Sequence, residues 1–249
     1  MRATILITRP EPAASASCTT LALRGVATIL APVLTLQSKA SALPDCATVR
    51  GVIFTSANAV LQLPYTQLPR GWAAWPCYCV GAATATVAAQ TGWQKAISAD
   101  SDGAALAALL LAQQPGRQVW LHPCGVERRA EPAATLHAHG HTVLDWEVYD
   151  TAAVSDLPAK ALAALRAQTC AGALFYSPRS AEIFGTLLAR VGLADTAGTM
   201  TAWCLSPAIA AAARASRWQA IVTADSPDEA ALLCSLQNWL RQEKMQLSA

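Results

Sequence analysis

The chain has 249 residues, 53% of them hydrophobic, 14% charged and 6% aromatic, with a formal net charge of +2. That length makes one or two domains, and the apolar fraction excludes intrinsic disorder. A charge so near neutral excludes a general nucleic-acid binder, which needs a basic face, although the basic residues are mostly arginine, suited to carboxylate or phosphate contacts.

Along the chain, short apolar runs alternate with Ala/Leu-rich stretches. Residues 4–8 read as a strand, 11–24 as a helix, and 28–36 and 51–55 as strands. Pro64 follows soon after Val60, so the helix after the second of these is expected to be short. Next come a strand at 77–80, helices at 84–91 and 103–113, and strands at 118–122 and 142–149. The last part reads as helix 157–168, strand 173–176, helix 180–191, strand 201–205, helix 208–216, strand 220–223 and helix 228–244. Continuous apolar strands alternating with helices predict α/β architecture, with parallel sheets covered on both faces.

Three segments return in order. Phe54-Thr-Ser-Ala-Asn-Ala is echoed by Phe175-Tyr-Ser-Pro-Arg-Ser, and Cys79-Val-Gly-Ala-Ala-Thr-Ala by Cys204-Leu-Ser-Pro-Ala-Ile-Ala. Ile97-Ser-Ala-Asp is echoed by Val222-Thr-Ala-Asp, with offsets of 121 to 125 residues overall. A fainter strand–helix–strand echo joins residues 5–33 to 120–148, but it leads one copy and trails the other. Two strands cannot make a stable sheet alone, so residues 1–34 are expected to join 151–249 in a discontinuous domain. Residues 38–147 then form an inserted domain of similar fold, with crossings near 32–38 and 147–153. A single large sheet is the rival reading.

The eight cysteines are scattered, and Cys77 and Cys79 form a C-x-C on one strand face without a zinc-knuckle pattern. Residues 5–7 are the only large apolar run before Thr8, well short of the roughly 7–15 of a signal-peptide core. The longest smooth apolar run, 104–112, is well below the roughly 18 residues that a membrane span requires. A cytoplasmic, monomeric chain without metal, cofactor, membrane or nucleic-acid partner is expected. Neither G-x-G-x-x-G nor G-x-x-x-x-G-K-[ST] occurs. The His137-Ala-His139-Gly-His141 run reads as a surface turn at a helix end.

In open α/β sheets, ligands bind beyond the carboxyl ends of strands. Ser56 and Ser177 follow strands at matched places and can cap the next helices, where backbone N–H groups also suit anions. Arg9, Arg179, Arg128 and Arg129, the latter pair after Cys124-Gly125, belong to the same inferred rim. Arg2, Arg70, Arg190 and Arg241 read as solvated. A cleft between two domains, lined by hydroxyls, helix starts and arginines, would fit a large anionic organic ligand.

Thr8-Arg9-Pro10, Phe54-Thr-Ser-Ala-Asn-Ala-Val60, Val80-Gly81-x-x-Thr84-Ala85, Val148-Tyr149, Ser177-Pro-Arg-Ser-Ala181 and Leu205-Ser-Pro-Ala-Ile-Ala210 form an ordered set. The set resembles uroporphyrinogen-III synthase of bacterial type over nearly the whole chain. The resemblance implies two flavodoxin-like domains joined by a two-strand linker. It also implies cofactor-free dehydration and cyclisation of hydroxymethylbilane, a linear tetrapyrrole with eight carboxylates, with inversion of its last ring. On that resemblance, Thr55, Ser56, Gly81, Thr84, Ser177 and Ser206 are expected at the substrate rim beside Arg9, Gly125, Arg128 and Arg179. Ala208 stands where some relatives carry a hydroxyl residue. Tyr149 is expected either as a general acid for the departing hydroxide or as a packed linker residue. A two-lobed binding or sensor protein for an anionic metabolite is the alternative, since fold alone does not fix function.

Overall fold

The computed structural model describes residues 4–246. In chain order the elements are β1 (Thr4–Ile7), α1 (Ala13–Leu23), β2 (Ala27–Leu30), β3 (Leu34–Ser38), β4 (Val49–Phe54), α2 (Ala57–Gln62), β5 (Pro76–Cys79) and α3 (Ala82–Gln90). They continue with β6 (Lys95–Ser98), α4 (Gly103–Gln113), β7 (Val119–Gly125), α5 (Ala133–Ala138), β8 (Thr142–Ala153) and α6 (Ala159–Arg166). Last come β9 (Cys170–Phe175), α7 (Pro178–Arg190), β10 (Thr201–Cys204), α8 (Pro207–Ala213), β11 (Ala220–Thr223) and α9 (Glu229–Gln246). The chain divides into two compact units, Met1–Thr35 with Ala152–Ala249, and Leu36–Thr151. Among the described residues no helix is long and apolar enough to cross a membrane.

The first unit carries a parallel sheet in the order β11-β10-β9-β1-β2. Numbered along its own chain this is the flavodoxin order, 2-1-3-4-5. Strand alternation sends β1 side chains to opposite faces. Leu6 packs with Ala173, Phe175 and Phe184 on one side, while Ile5 and Ile7 pack with Leu174, Trp203 and Leu232 on the other. Both faces are covered, which is why the strand reads as an unbroken apolar run.

The second unit carries the order β3-β8-β7-β4-β5-β6. Without β3 this is the same flavodoxin order, but β7 and β8 stand in the places of β1 and β2 and come last. The unit is a circular permutation of the other, as the displaced strand–helix–strand echo suggests. The registers agree: Ile5 lies opposite Gly172 and Trp120 opposite Gly51. Both glycines are needed for close approach. A Cβ at Gly51 would lie 2.6 Å from the Pro76 carbonyl, and one at Gly172 would lie 2.0 Å from that of Thr201.

Four details differ from the expected elements. The run 28–36 divides into β2 and β3 around Pro32, which has no N–H for a ladder. Strand β6, which stands among no expected run, forms the sheet edge and is only half buried. Strand β7 continues to Gly125 through Pro123, beyond the point where its pairing with β4 ends at Leu121. Strand β8 runs past Tyr149 to Ala153, so Tyr149 lies inside the strand rather than at its end. The extension has a partner: Lys39 N–H bonds to the Val148 carbonyl and Val154 N–H to the Val33 carbonyl, an antiparallel sequence of contacts.

Candidate active site

In the Leu36–Thr151 unit the strand order reverses between β7 and β4, the place where open α/β sheets hold ligands. Thr55, the residue after β4, meets His122 of β7 there, with Oγ1 3.1 Å from Nε2. His122 is 2% exposed. Its Nδ1 lies 2.7 Å from Oδ1 of Asp145, its register partner on β8. The second Asp145 oxygen accepts from Arg128 Nε at 2.9 Å, and Arg128 Nη1 reaches Glu147 at 3.1 Å. Glu147 in turn accepts from Lys39 Nζ at 2.6 Å.

The Asp145 carboxyl is held below its usual range, first by its hydrogen bond with His122 and further by Arg128. An ionised carboxylate accepts from Nδ1–H, so in the neutral imidazole Nε2 is left to accept the Thr55 hydroxyl proton. The Arg128 guanidinium, expected at the substrate rim, is engaged by these two carboxylates.

Tyr149 completes the same end of the unit. The β7–β8 register shifts between Cys124 and Gly125, with Val148 the extra residue on β8, which brings Gly125 opposite Tyr149. The ring lies so close that a Cβ at Gly125 would sit 2.8 Å from Cζ. Burial pushes the Tyr149 phenol up, and the Ser56 hydroxyl offsets part of that shift. Ser56 also caps α2, its Oγ accepting from the Asn58 N–H at 3.1 Å. Gly81 is the N-cap residue of α3, and Thr84 is buried in the first turn of that helix.

Cys124 lies two residues beyond His122, and its Sγ comes within 4.8 Å of the His122 and Asp145 donor atoms. Nitrogen, sulfur and oxygen donors of this kind suit zinc. Here, however, burial pushes the Cys124 thiol up to about 12, and its Sγ contacts the Trp146 carbonyl. The Arg128 cation already sits on the Asp145 carboxylate. The set is therefore arranged for proton contacts rather than for a cation.

In the other unit the reversal falls between β1 and β9, where Thr8 Oγ1 donates to the Leu174 carbonyl at 2.6 Å. Arg9 follows. Its Nη1 is 3.0 Å from Glu229, and its guanidinium carbon stands 4.2 Å from the Tyr176 ring centroid. Ser177 caps α7 through the Ser180 N–H, and Arg179 stands in the first turn of that helix. Ser206 is the N-cap residue of α8 but makes no side-chain cap bond.

Of the expected rim residues, Thr55, Ser56, Gly125 and Arg128 stand at strand ends or just beyond them, and Tyr149 lies beside Gly125 inside β8. Gly81 and Thr84 stand at the start of α3, and Arg9, Ser177, Arg179 and Ser206 follow strands of the other unit. Neither His122 nor Asp145 is among the residues expected from the sequence. The available signal was a histidine in an otherwise apolar strand, but its carboxylate partner is 23 residues away. In the histidine run, His137 and His139 stand at the exposed end of α5 as expected. His141 is buried, with Nδ1 accepting from Trp120 Nε1 at 3.1 Å, rather than part of a surface turn. Arg190 is exposed and paired with Asp156; Arg2 lies outside the described residues.

Two flavodoxin-like units, one of them permuted and inserted in the chain between the two parts of the other, with hydroxyl groups at their strand ends, define a duplicated α/β protein. Among solved structures, uroporphyrinogen-III synthetase from Helicobacter pylori matches with a TM-score of 0.62 at 18% identity, covering 96% of this chain and 100% of that one. A mutant uroporphyrinogen III synthase from the extremely thermophilic bacterium Thermus thermophilus matches with a TM-score of 0.52 at 17% identity, over 96% and 99% of the two chains. A search of curated protein sequences finds no match. The family model described as uroporphyrinogen-III synthase HemD matches residues 16–234. The chain belongs to the uroporphyrinogen-III synthase family.

Proposed function

We propose that the chain cyclises hydroxymethylbilane to uroporphyrinogen III, removing water and inverting the last ring, as a lyase. The family match across residues 16–234, which takes in both units, carries this reading. A monomeric, cytoplasmic catalyst belongs to the same proposal.

The chemistry needs few protein groups. The pyrrole nitrogen of the first ring pushes out the hydroxyl and leaves an electrophilic methylene-pyrrolenine. The substituted carbon of the last ring attacks it, giving a spiro intermediate that fragments and recloses inverted. The protein's tasks are to position the two ends and to supply a proton to the departing hydroxyl. Thr55, Ser56, Gly81, Thr84, Gly125 and Arg128 would form the substrate rim of one unit, and Arg9, Ser177, Arg179 and Ser206 that of the other. Tyr149 would be the acid. Its raised pKa keeps the phenol protonated through neutral pH, as a donor requires.

The experiment is incubation with enzymatically generated hydroxymethylbilane, followed by oxidation and chromatographic separation of isomers. The type III isomer is expected. Type I alone, the product of spontaneous closure, would reduce the chain to a binder of anionic metabolites.

A further inference from the structure

The first unit serves as an internal control for the second. Ile5 lies opposite Gly172 in register, as Trp120 lies opposite Gly51. Two residues on, Ile7 pairs with Leu30 where His122 pairs with Asp145. Ile7 is fully buried and Leu30 lies at the surface edge. Two aliphatic residues therefore satisfy this fold at these positions.

A buried imidazole must find hydrogen-bond partners to offset its lost hydration, whereas an aliphatic pair needs none. The second unit nevertheless keeps the polar pair on β7 and β8, beside its topological switch point. It also directs Nε2 at Thr55, the first residue beyond the strand end. The groups facing the imidazole are Asp145 from β8, Thr55 after β4, Cys124 on its own strand, and Arg128 from the following loop, with Glu147 beyond Arg128.

We propose that His122 is a positioning residue that acts through Thr55: Asp145 fixes the imidazole, Nε2 takes the Thr55 hydroxyl proton, and the Thr55 oxygen is turned to accept the N–H of the substrate's first pyrrole. This inference rests on the synthase reading. As the pyrrole N–H gives its proton to Thr55 Oγ1, the Thr55 proton passes to Nε2. The N–H electron pair moves through the ring to form the exocyclic carbon–carbon double bond while the carbon–oxygen bond breaks. The hydroxyl takes the Tyr149 proton and leaves as water. The imidazolium and the phenolate then return to neutral by proton exchange with solvent, and nothing is oxidised or reduced.

The test compares the wild type with His122→Gln, Thr55→Val and the double variant, measuring kcat, KM, melting temperature and kcat against pH on hydroxymethylbilane. Each single change is expected to lower kcat by about 100-fold, the lower end of the usual range of acid–base assistance, with KM changed less than about twofold. Because both residues serve one path, the double variant should be no slower than the slower single variant. The kcat–pH profile of His122→Gln should differ from that of the wild type, because the proton acceptor behind Thr55 is gone. An unchanged kcat–pH profile in His122→Gln, or losses that multiply in the double variant, would overturn the proposal. If His122→Gln does not fold, Asp145→Asn takes its place, with the same slowing and an altered profile expected and an unaltered profile counting against the relay. A wild type that makes only the type I isomer would instead sink the synthase reading.

Discussion

Gly125 and Tyr149 are in contact across the β7–β8 bulge so closely that the glycine has no room for a side chain. A Cβ there would stand 2.8 Å from the Tyr149 Cζ and 3.0 Å from its Oη. Such distances require one of the two to move. Gly125→Ala is expected to displace the phenol from Ser56 and lower turnover about tenfold or more, the order lost when an acid is misplaced. Strand overpacking should lower stability by about 1–3 kcal/mol. Steady-state kinetics beside urea denaturation would check it, and wild-type turnover would show that the ring's position is not needed.

Tyr149→Phe isolates the hydroxyl. The ring and its packing remain, while the proton donor is gone. Since burial holds the phenol protonated, its loss should cut turnover at least tenfold, toward the roughly 10²–10⁴-fold range of general-acid help. Melting temperature should fall by no more than about 6 °C, because one buried, hydrogen-bonded hydroxyl contributes about 0.5–1.5 kcal/mol at most. Near-normal turnover would make Tyr149 a packing residue.

Arg9 has a structural position in its own unit as well as an expected place at the rim. Glu229 at the start of α9 receives Arg9, the Ser17 hydroxyl and the Tyr176 hydroxyl. Burial first, and the Glu229 charge next, push the Tyr176 phenol up to about 12. Arg9→Ala should therefore destabilise the protein by about 1–2 kcal/mol, from a partly exposed ion pair and a cation–π contact. A rise in KM with no change in stability would instead assign the guanidinium to substrate alone. Chemical denaturation and substrate titration of the same variant separate the two.

Much of the fold is legible in residues whose neighbours along the chain determine their state. The apolar strands announce parallel sheets because both faces are covered, as Leu6 and Ile7 show by entering different cores. The internal echo carries the permutation, and it even marks β6, whose four mixed residues on a half-buried edge give no strand pattern alone. The site is less legible because its bonds are long-range. His122 and Asp145 meet only through strand register, and Arg9 meets Glu229 across 220 residues. The extent of β8 was equally hidden, since it depends on β3 supplying partners beyond Tyr149.

The Asp145 carboxylate predicts how stability depends on acid. Its folded-state pKa is lowered, first by the hydrogen bond with His122 and then by the Arg128 charge, while an unfolded aspartate titrates near about 3.9. For a depressed carboxylate, the unfolded chain binds the proton more readily. The stabilisation is therefore present above the unfolded value and is lost as pH falls through the folded one. Glu147, lowered by Lys39 and Arg128, works in the same sense and is present in both proteins compared. Asp145→Asn cannot ionise, so its stability deficit against wild type should shrink as pH falls below about 4. Urea midpoints for both proteins between about pH 7 and about pH 2.5 would reveal it. A deficit that stays constant through the acid range would mean that Asp145 contributes through shape and neutral hydrogen bonding, not through its charge.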